Sequence, residues 1–325
     1  MEKRIVRSAL IIGAGSIGQR HALNLKTLGI HVSLFDTDHE TLIRVCSEGE
    51  YTRCYDLNAA LCNDQIDLAL ICTPNHLHIP IAQKVADAGI NLFIEKPLSH
   101  SLEGVQTLID TVKKKNLYAT VGFMLRYDPC LLHLKELIKP EEIAFAQVEG
   151  GSYLPSWRPG TDYRKTYCSN QSMGGGAILE GVHEIDYICW LLGYPNKIHG
   201  VSGKFSSLEI DTEDTAMIVF EYNDKLVSLH MDYLQRKYTR KCKLCKRDGT
   251  IYEWIFGKCV REFTENGERK LCWYDSSFET NDLYMDEIVT SLFNMSRGTE
   301  PKSTLENGAK VLDIALKAKY GGGKW

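Results

Sequence analysis

The segment Ala9-Leu10-Ile11-Ile12-Gly13-Ala14-Gly15-Ser16-Ile17-Gly18 decides the fold of this chain. An apolar run of strand length meets three glycines in the order G-x-G-x-x-G, and a segment of helical period, Ile17 to Leu28, comes directly after. In that setting each glycine has a separate task. Gly13 permits a tight turn, Gly15 removes the Cβ that would block a pyrophosphate, and Gly18 lets helix and strand approach. The helix N-terminus at Ser16 and Ile17 then offers free N–H groups to phosphates. A purely structural turn is the competing reading, and it does not require strand, glycines and helix in this register.

Working outward, the next strand, Val32 to Phe35, ends at Asp36, 18 residues beyond Gly18. A carboxylate there accepts hydrogen bonds from ribose hydroxyls and repels a 2′-phosphate. Thr37 and Asp38 come next in place of the arginines that would clasp such a phosphate, so NAD is expected rather than NADP. The alternative role for Asp36 is a helix N-cap, for which Asp38 is an equal candidate. Further short apolar runs, Leu68 to Cys72, Leu92 to Ile94 and Tyr118 to Val121, alternate with helix-period segments at His76 to Ala88 and Leu102 to Lys115. Buried strands separated by helices predict an α/β, doubly wound parallel sheet of the Rossmann type over residues 1–122.

After Pro129 strands succeed one another: Ala144 to Glu149, Ile198 to Phe205, Ala216 to Glu221, Leu226 to Tyr233 and Lys241 to Cys245. Turns such as Asn223-Asp224 and Asp248-Gly249 join several of them. One apolar helix, Ile178 to Leu192, interrupts the strands, and two more, Leu283 to Phe293 and Leu305 to Lys319, close the chain. Residues 123–325 are therefore expected to form an α+β domain with an open, mainly antiparallel sheet, ending in a flexible tail at Gly321-Gly322-Gly323.

Composition narrows the partners. The 325 residues are 44% hydrophobic and 25% charged, with a net charge of −4, which gives no basic face for nucleic acid. No apolar run approaches the ~20 residues of a membrane span, and Met1 to Arg4 lead straight into a strand without a signal-peptide pattern. A cytoplasmic protein is expected. Eleven cysteines without framework spacing read as free thiols. Cys242-x-x-Cys245 with Cys259 and Cys272 lacks a second close pair, so no metal is expected.

Four segments together carry a resemblance: Cys72-Thr73-Pro74-Asn75-His76-Leu77-His78, Glu95-Lys96-Pro97, Gly122-Phe123-Met124-Leu125-Arg126-Tyr127-Asp128-Pro129, and the run from Gly174 to Asp186. In order and spacing they resemble the glucose-fructose oxidoreductase and inositol dehydrogenase family, over nearly the whole chain. The stretch from Trp157 to Arg164 is similar to a subgroup associated with bacterial surface-sugar biosynthesis. The resemblance implies that Thr73, Pro74, Asn75 and His76 line the cofactor cleft and that Glu95 and Lys96 lie beside the nicotinamide, with a cis peptide before Pro97. It also implies a homodimer or homotetramer built through the open sheet.

The family presents a carboxylate and a histidine from the helix after the glycine run. Here Glu180 stands three residues before His183, where four is usual, and either spacing places both on one face of a continuous helix. The expected chemistry is an NAD-dependent dehydrogenase acting on the carbinol carbon of a sugar, cyclitol or sugar derivative. His183 would be the general base and Lys96 would hold the reacting oxygen, with the lysine as the alternative proton-transfer group, as in some members of the family it resembles. Arg126, Tyr127, Tyr163, Arg164 and Tyr233 are candidate substrate contacts. The seven basic residues between Arg236 and Arg247 suit either a phosphate-bearing substrate or a solvated strand face. A nucleotide-sugar or sugar-acid oxidoreductase of a glycan pathway and a non-catalytic NAD-binding sensor or scaffold remain as alternatives.

Overall fold

The computed structural model describes residues 6–63 and 65–321. Met1 to Arg4, and glycines 322 and 323 of the expected flexible tail, lie outside them. The chain divides into two compact units, Met1–Phe123 with Asn281–Ala309, and Met124–Thr280 with Lys310–Trp325.

The first unit carries β1 (Ser8–Ile12), α1 (Ser16–Thr27), β2 (His31–Phe35), α2 (His39–Gly49), β3 (Thr52–Cys54), α3 (Leu57–Leu61), β4 (Leu68–Ile71), α4 (His78–Asp87), β5 (Asn91–Glu95), α5 (Val105–Lys115) and β6 (Ala119–Gly122). Its strands form one parallel sheet in the order β3-β2-β1-β4-β5-β6. β1, β4 and β6 are buried along their whole length, as a sheet covered on both faces requires. Strand order reverses between β1 and β4, so the turns leaving these two strands flank the switch point where open α/β sheets bind ligands. Those turns begin at Gly13 and at Thr73.

Between β2 and β4 lie elements that the sequence pattern does not announce. Asp38 caps α2 by accepting from the N–H groups of Glu40 and Thr41, and Leu42, Val45 and Cys46 bury its inner face. The expected helix His76 to Ala88 begins as a 3-10 turn, Asn75–Leu77, before α4.

The second unit carries α6 (Pro129–Leu137), β7 (Ile143–Gly151), α7 (Ala177–Glu180), α8 (Val182–Leu192), β8 (Lys197–Gly203), β9 (Thr215–Glu221), β10 (Leu226–Asp232), β11 (Thr239–Lys246), β12 (Ile251–Ile255), β13 (Cys259–Thr264) and β14 (Gly267–Trp273). Two helices close the chain, α9 (Thr280–Arg297) and α10 (Leu305–Tyr320). The sheet order is β14-β13-β12-β11-β7-β10-β9-β8. All neighbours are antiparallel except β7 and β10, which run parallel because α7, α8, β8 and β9 intervene as a crossover. Side chains alternate along β9, with Ala216, Ile218 and Phe220 buried and Met217 and Val219 exposed. One face of the sheet is therefore covered and the other open.

Two expectations are corrected. Residues 281–309 belong with the first unit rather than with the second: Ile288 of α9 is fully buried in the core that holds Leu34 and Phe93, and the Ser303 carbonyl accepts from the N–H of Val121. The helix Ile178 to Leu192 is also not continuous. It breaks at Gly181, where a Cβ would stand 2.4 Å from the Met231 sulfur, so β10 approaches too closely for a regular helix carrying side chains to pass.

Candidate cofactor and substrate sites

In the first unit the three glycines stand in three different environments. Gly13 has φ +105°, and a Cβ there would lie 2.7 Å from the Cys72 carbonyl oxygen. At Gly18 a Cβ would lie 1.9 Å from the Gly13 carbonyl oxygen. At Gly15 it would meet nothing within 4 Å. The outer glycines are thus fixed by packing, whereas Gly15, exposed at the start of α1 with no side chain capping the helix, leaves backbone N–H groups accessible. Ser16 is exposed and Ile17 packs partly against the core. This is the cradle a dinucleotide pyrophosphate needs.

Asp36 is tied to that turn. Its Oδ2 accepts from the Ala14 N–H at 2.6 Å and its Oδ1 from the Asp38 N–H at 2.8 Å. Asp38 performs the capping of α2, and each Asp36 oxygen retains a further acceptor site for a ribose hydroxyl.

Thr73, Pro74, Asn75 and His76 come after β4, with Asn75 buried and the other three half-buried. His78, which carried no assigned role in the sequence, organises this loop. It is fully buried, with Nδ1 2.8 Å from the Pro97 carbonyl oxygen and Nε2 2.8 Å from that of Thr73. Burial lowers its pKa, and the two carbonyls oppose that shift. His78 therefore ties the Thr73 loop to the segment carrying half-buried Lys96, whose peptide bond to Pro97 is cis. Glu95 is turned inward: its Oε1 lies 2.7 Å from Nε2 of buried His21 on α1, and Gly122 leaves room for the carboxylate. Its side chain anchors β5 to α1 rather than standing open to a cofactor.

In the second unit the glycine run is clamped. Glu213 Oε1 accepts from the N–H of Ile178 at 3.2 Å, and a Cβ on Gly176, which has φ +119°, would collide with the same carboxylate. Lys319 lies 2.7 Å from Glu213 and donates to the Gly175 carbonyl, with both charged side chains buried. Residues 35 and 144 positions away in sequence supply this clamp, so no local pattern could reveal it.

Beyond the clamp, Glu180 ends α7 and His183 lies in the first turn of α8. Both are largely buried, and the Glu180 carboxylate accepts from the Tyr167 hydroxyl at 3.3 Å. The break at Gly181 sets the relation between these two side chains, not a shared helix face.

The other expected substrate contacts divide. Arg126 is committed elsewhere: its guanidinium binds Asp186 on α8 through Nε at 3.0 Å and Nη2 at 2.7 Å, both residues being buried. Burial raises the Asp186 carboxyl, opposed by the Arg126 charge. Tyr233 is a core residue, 1% exposed, packed edge-on against Trp157 with its hydroxyl on the Cys168 carbonyl. Arg164 is exposed and paired with Asp162 and Glu209, while the hydroxyl of half-buried Tyr163 accepts from the Glu209 N–H. Tyr127 is buried.

Four of the seven basic residues of the stretch, which runs along β11 and beyond both its ends, meet carboxylates: Arg240 with buried Glu184, Lys241 with Glu149, Lys246 with Glu142, and Arg247 with Asp224; Arg236 and Lys243 lie over the rings of Tyr153 and Phe145. Cys242 and Cys245, three residues apart on β11, point to opposite faces. Among the described residues no group of three or more His, Cys, Asp or Glu side chains could hold a metal ion, and no helix is long and apolar enough to cross a membrane.

A dinucleotide cradle at the switch point of a parallel sheet, joined in one chain to a second unit bearing an open sheet, defines a two-domain nicotinamide-dependent oxidoreductase. Residues 7–123 match the model of an oxidoreductase family with an NAD-binding Rossmann fold, and residues 132–252 match the GFO/IDH/MocA C-terminal domain. The chain belongs to the GFO/IDH/MocA family, and NAD is its cofactor. It is similar to the myo-inositol 2-dehydrogenase of Thermotoga maritima, with 25% identity over 95% of this chain and 94% of that protein. The inositol 2-dehydrogenase of Paracoccus denitrificans is likewise 25% identical over 97% of this chain and 94% of its own. The fold is shared with a levoglucosan dehydrogenase solved in complex with NADH, with a TM-score of 0.86, 17% identity and 97% of each chain covered.

Proposed function

We propose that the protein oxidises or reduces a carbinol carbon of a sugar, cyclitol or sugar derivative, with NAD as hydride partner, His183 transferring the proton and Lys96 holding the reacting oxygen. The observation that carries this reading is the likeness to myo-inositol 2-dehydrogenase across both units, with Lys96 and His183 both present in the sequence. Bound NAD supplies the hydride acceptor. An alcohol that loses hydride must also lose its hydroxyl proton, and a free imidazole titrates near 6.5, close to neutral pH. The lysine ammonium donates a hydrogen bond to the oxygen and lowers the cost of its alkoxide character. Hydroxyl-rich substrates fit the remaining polar groups of the second unit, Glu180, Tyr127 and Tyr163. The carboxylates on Arg240, Lys241, Lys246 and Arg247 offset four of the seven positive charges that would otherwise favour a substrate diphosphate.

The test is turnover of cyclitols, aldoses, sugar acids and nucleotide sugars with each coenzyme, monitored by nicotinamide absorbance. With Asp36 on the ribose, NAD is expected to bind at least ~10-fold more tightly than NADP, about 1.4 kcal/mol. Equal affinities would remove Asp36 from that role. Tight NAD binding without turnover of any polyol would favour the sensor reading.

A homo-oligomer built on the open sheet accompanies this function. Val201, Met217, Val219 and Leu226 lie exposed on consecutive strands β8, β9 and β10, and a groove of about 470 Å³ runs beside them between Gln147, His230 and Lys243. Light scattering on the eluted protein should give a dimer or tetramer mass. The cysteines of the described residues are all free thiols, which suits a reducing cytoplasm.

A further inference from the structure

Two chain segments of the second unit are held face to face on two adjacent rungs. Asp128, the N-cap of α6, accepts a hydrogen bond from the Tyr274 hydroxyl, just beyond β14. Two residues further into α6, the Cys130 sulfur lies 2.8 Å from the Cys272 sulfur on β14. The two thiols are in direct contact, either one serving as hydrogen-bond donor, so the side chains of the two segments already face each other. The Asp128–Tyr274 rung is anchored independently: Trp254 donates to the Tyr274 hydroxyl at 3.2 Å, and the Leu131 N–H binds Asp128 at 2.8 Å. The two thiols differ in access, Cys130 being fully buried and Cys272 half-buried.

We propose that Cys130 and Cys272 are a redox pair that closes to a reversible disulfide when the protein meets hydrogen peroxide. Cys272, the accessible member, gives up its proton and attacks one peroxide oxygen. The O–O bond breaks, and the departing hydroxide takes up that proton as water. Cys272 is left as a sulfenic acid. The Cys130 sulfur then attacks the Cys272 sulfur, the S–O bond breaks, and the leaving hydroxide carries away the Cys130 thiol proton as a second water. Two thiols are oxidised by two electrons and one peroxide is reduced to two waters; a thiol reductant reverses the change. Burial, and then the neighbouring Cys272 sulfur and Asp128, raise the Cys130 thiol, which disfavours it for the first attack and leaves that step to Cys272. In a reducing compartment such a pair is a transient, regulatory bond rather than a permanent staple. It ties the start of α6 to β14, an edge strand of the sheet, closing a loop of 142 residues.

The full chain should be treated with hydrogen peroxide, alkylated, digested with trypsin and mapped by mass spectrometry. Each cysteine falls alone in its peptide, residues 127–135 and 271–297. The expected product is these two peptides joined, separated again by dithiothreitol, with a melting midpoint at least about 5 °C above that of the reduced protein. Cys272→Ser, at a half-buried position, should fold, yet lose both the cross-link and the rise in midpoint. Recovery of all eleven cysteines as alkylated thiols overturns the proposal. So does a cross-link to a different cysteine, oxidation of Cys272 to sulfinic acid without a cross-link, or a midpoint that still rises in Cys272→Ser.

Discussion

The two glycine runs of this molecule look alike in sequence and work differently. Gly13, Gly15 and Gly18 form a turn constrained by backbone: the Gly13 carbonyl stands against Gly18, the Cys72 carbonyl from the end of the neighbouring strand stands against Gly13, and Gly15 keeps space open. Gly174 to Gly176 form a turn held from a distance, by Glu213 and Lys319, and they lead into a broken helix. A ligand bound by backbone N–H groups needs a backbone held in one shape, whereas one bound by side chains depends on which of those side chains the rest of the fold has already used.

The sharpest contrast lies between two arginines that the sequence treats as equals. Arg126→Ala would leave Asp186 buried and unpaired, so a loss of about 3–5 kcal/mol in unfolding free energy is expected. Arg164→Ala, on the surface, should melt indistinguishably from the parent. If both variants were equally stable, the buried pair would not be holding Arg126 against α8, and Arg126 would return as a substrate contact.

A second prediction concerns Asp128, whose carboxyl burial raises to about 6 from 3.8, opposed by the Tyr274 hydrogen bond. The folded state keeps this proton between those values while the unfolded chain has lost it. Stability from this group therefore falls as pH rises from about 4 to about 6. Asp128→Asn removes the titration, so its stability relative to the parent should improve by about 3 kcal/mol over that rise. Denaturant melts at pH 4 and pH 7 measure it, and a constant difference would contradict the assignment.

In the first unit the glycines separate folding from binding. Gly18→Ala drives a Cβ into the Gly13 carbonyl, and about 1–3 kcal/mol of stability should be lost. Gly15→Ala meets no protein atom, so its melting should be unchanged while NAD affinity falls by at least ~10-fold, about 1.4 kcal/mol. Parent-like NAD affinity in Gly15→Ala would place the pyrophosphate elsewhere.

These contrasts also explain what the sequence disclosed. The parallel sheet was legible because its strands are continuous apolar runs, and the cofactor turn because its three glycines fall within six residues, directly between an apolar run and a helical segment. β3, only three residues long and largely exposed, offered no such run. β14 reads Gly267-Glu268-Arg269-Lys270-Leu271-Cys272-Trp273, too polar to announce a strand, since it is an edge strand exposed over much of its length. The fates of Arg126 and Tyr233 were hidden because Asp186 and Cys168, their partners, lie 60 and 65 residues away. His78 stood in plain view within the Cys72 to His78 motif, but only the fold brings the Pro97 carbonyl to its ring.

The central claim is that Lys96 and His183 perform the proton chemistry of an NAD-dependent dehydrogenase. The most direct test is the steady-state pH profile of His183→Ala and Lys96→Ala on a polyol turned over by the parent, with NAD affinity measured alongside. The account predicts that His183→Ala lowers kcat by about 10²–10⁴-fold and loses the limb near neutrality, that Lys96→Ala lowers kcat and weakens substrate binding, and that His183→Ala binds NAD nearly as the parent does. A His183→Ala enzyme that keeps its kcat and the limb near neutrality would contradict it.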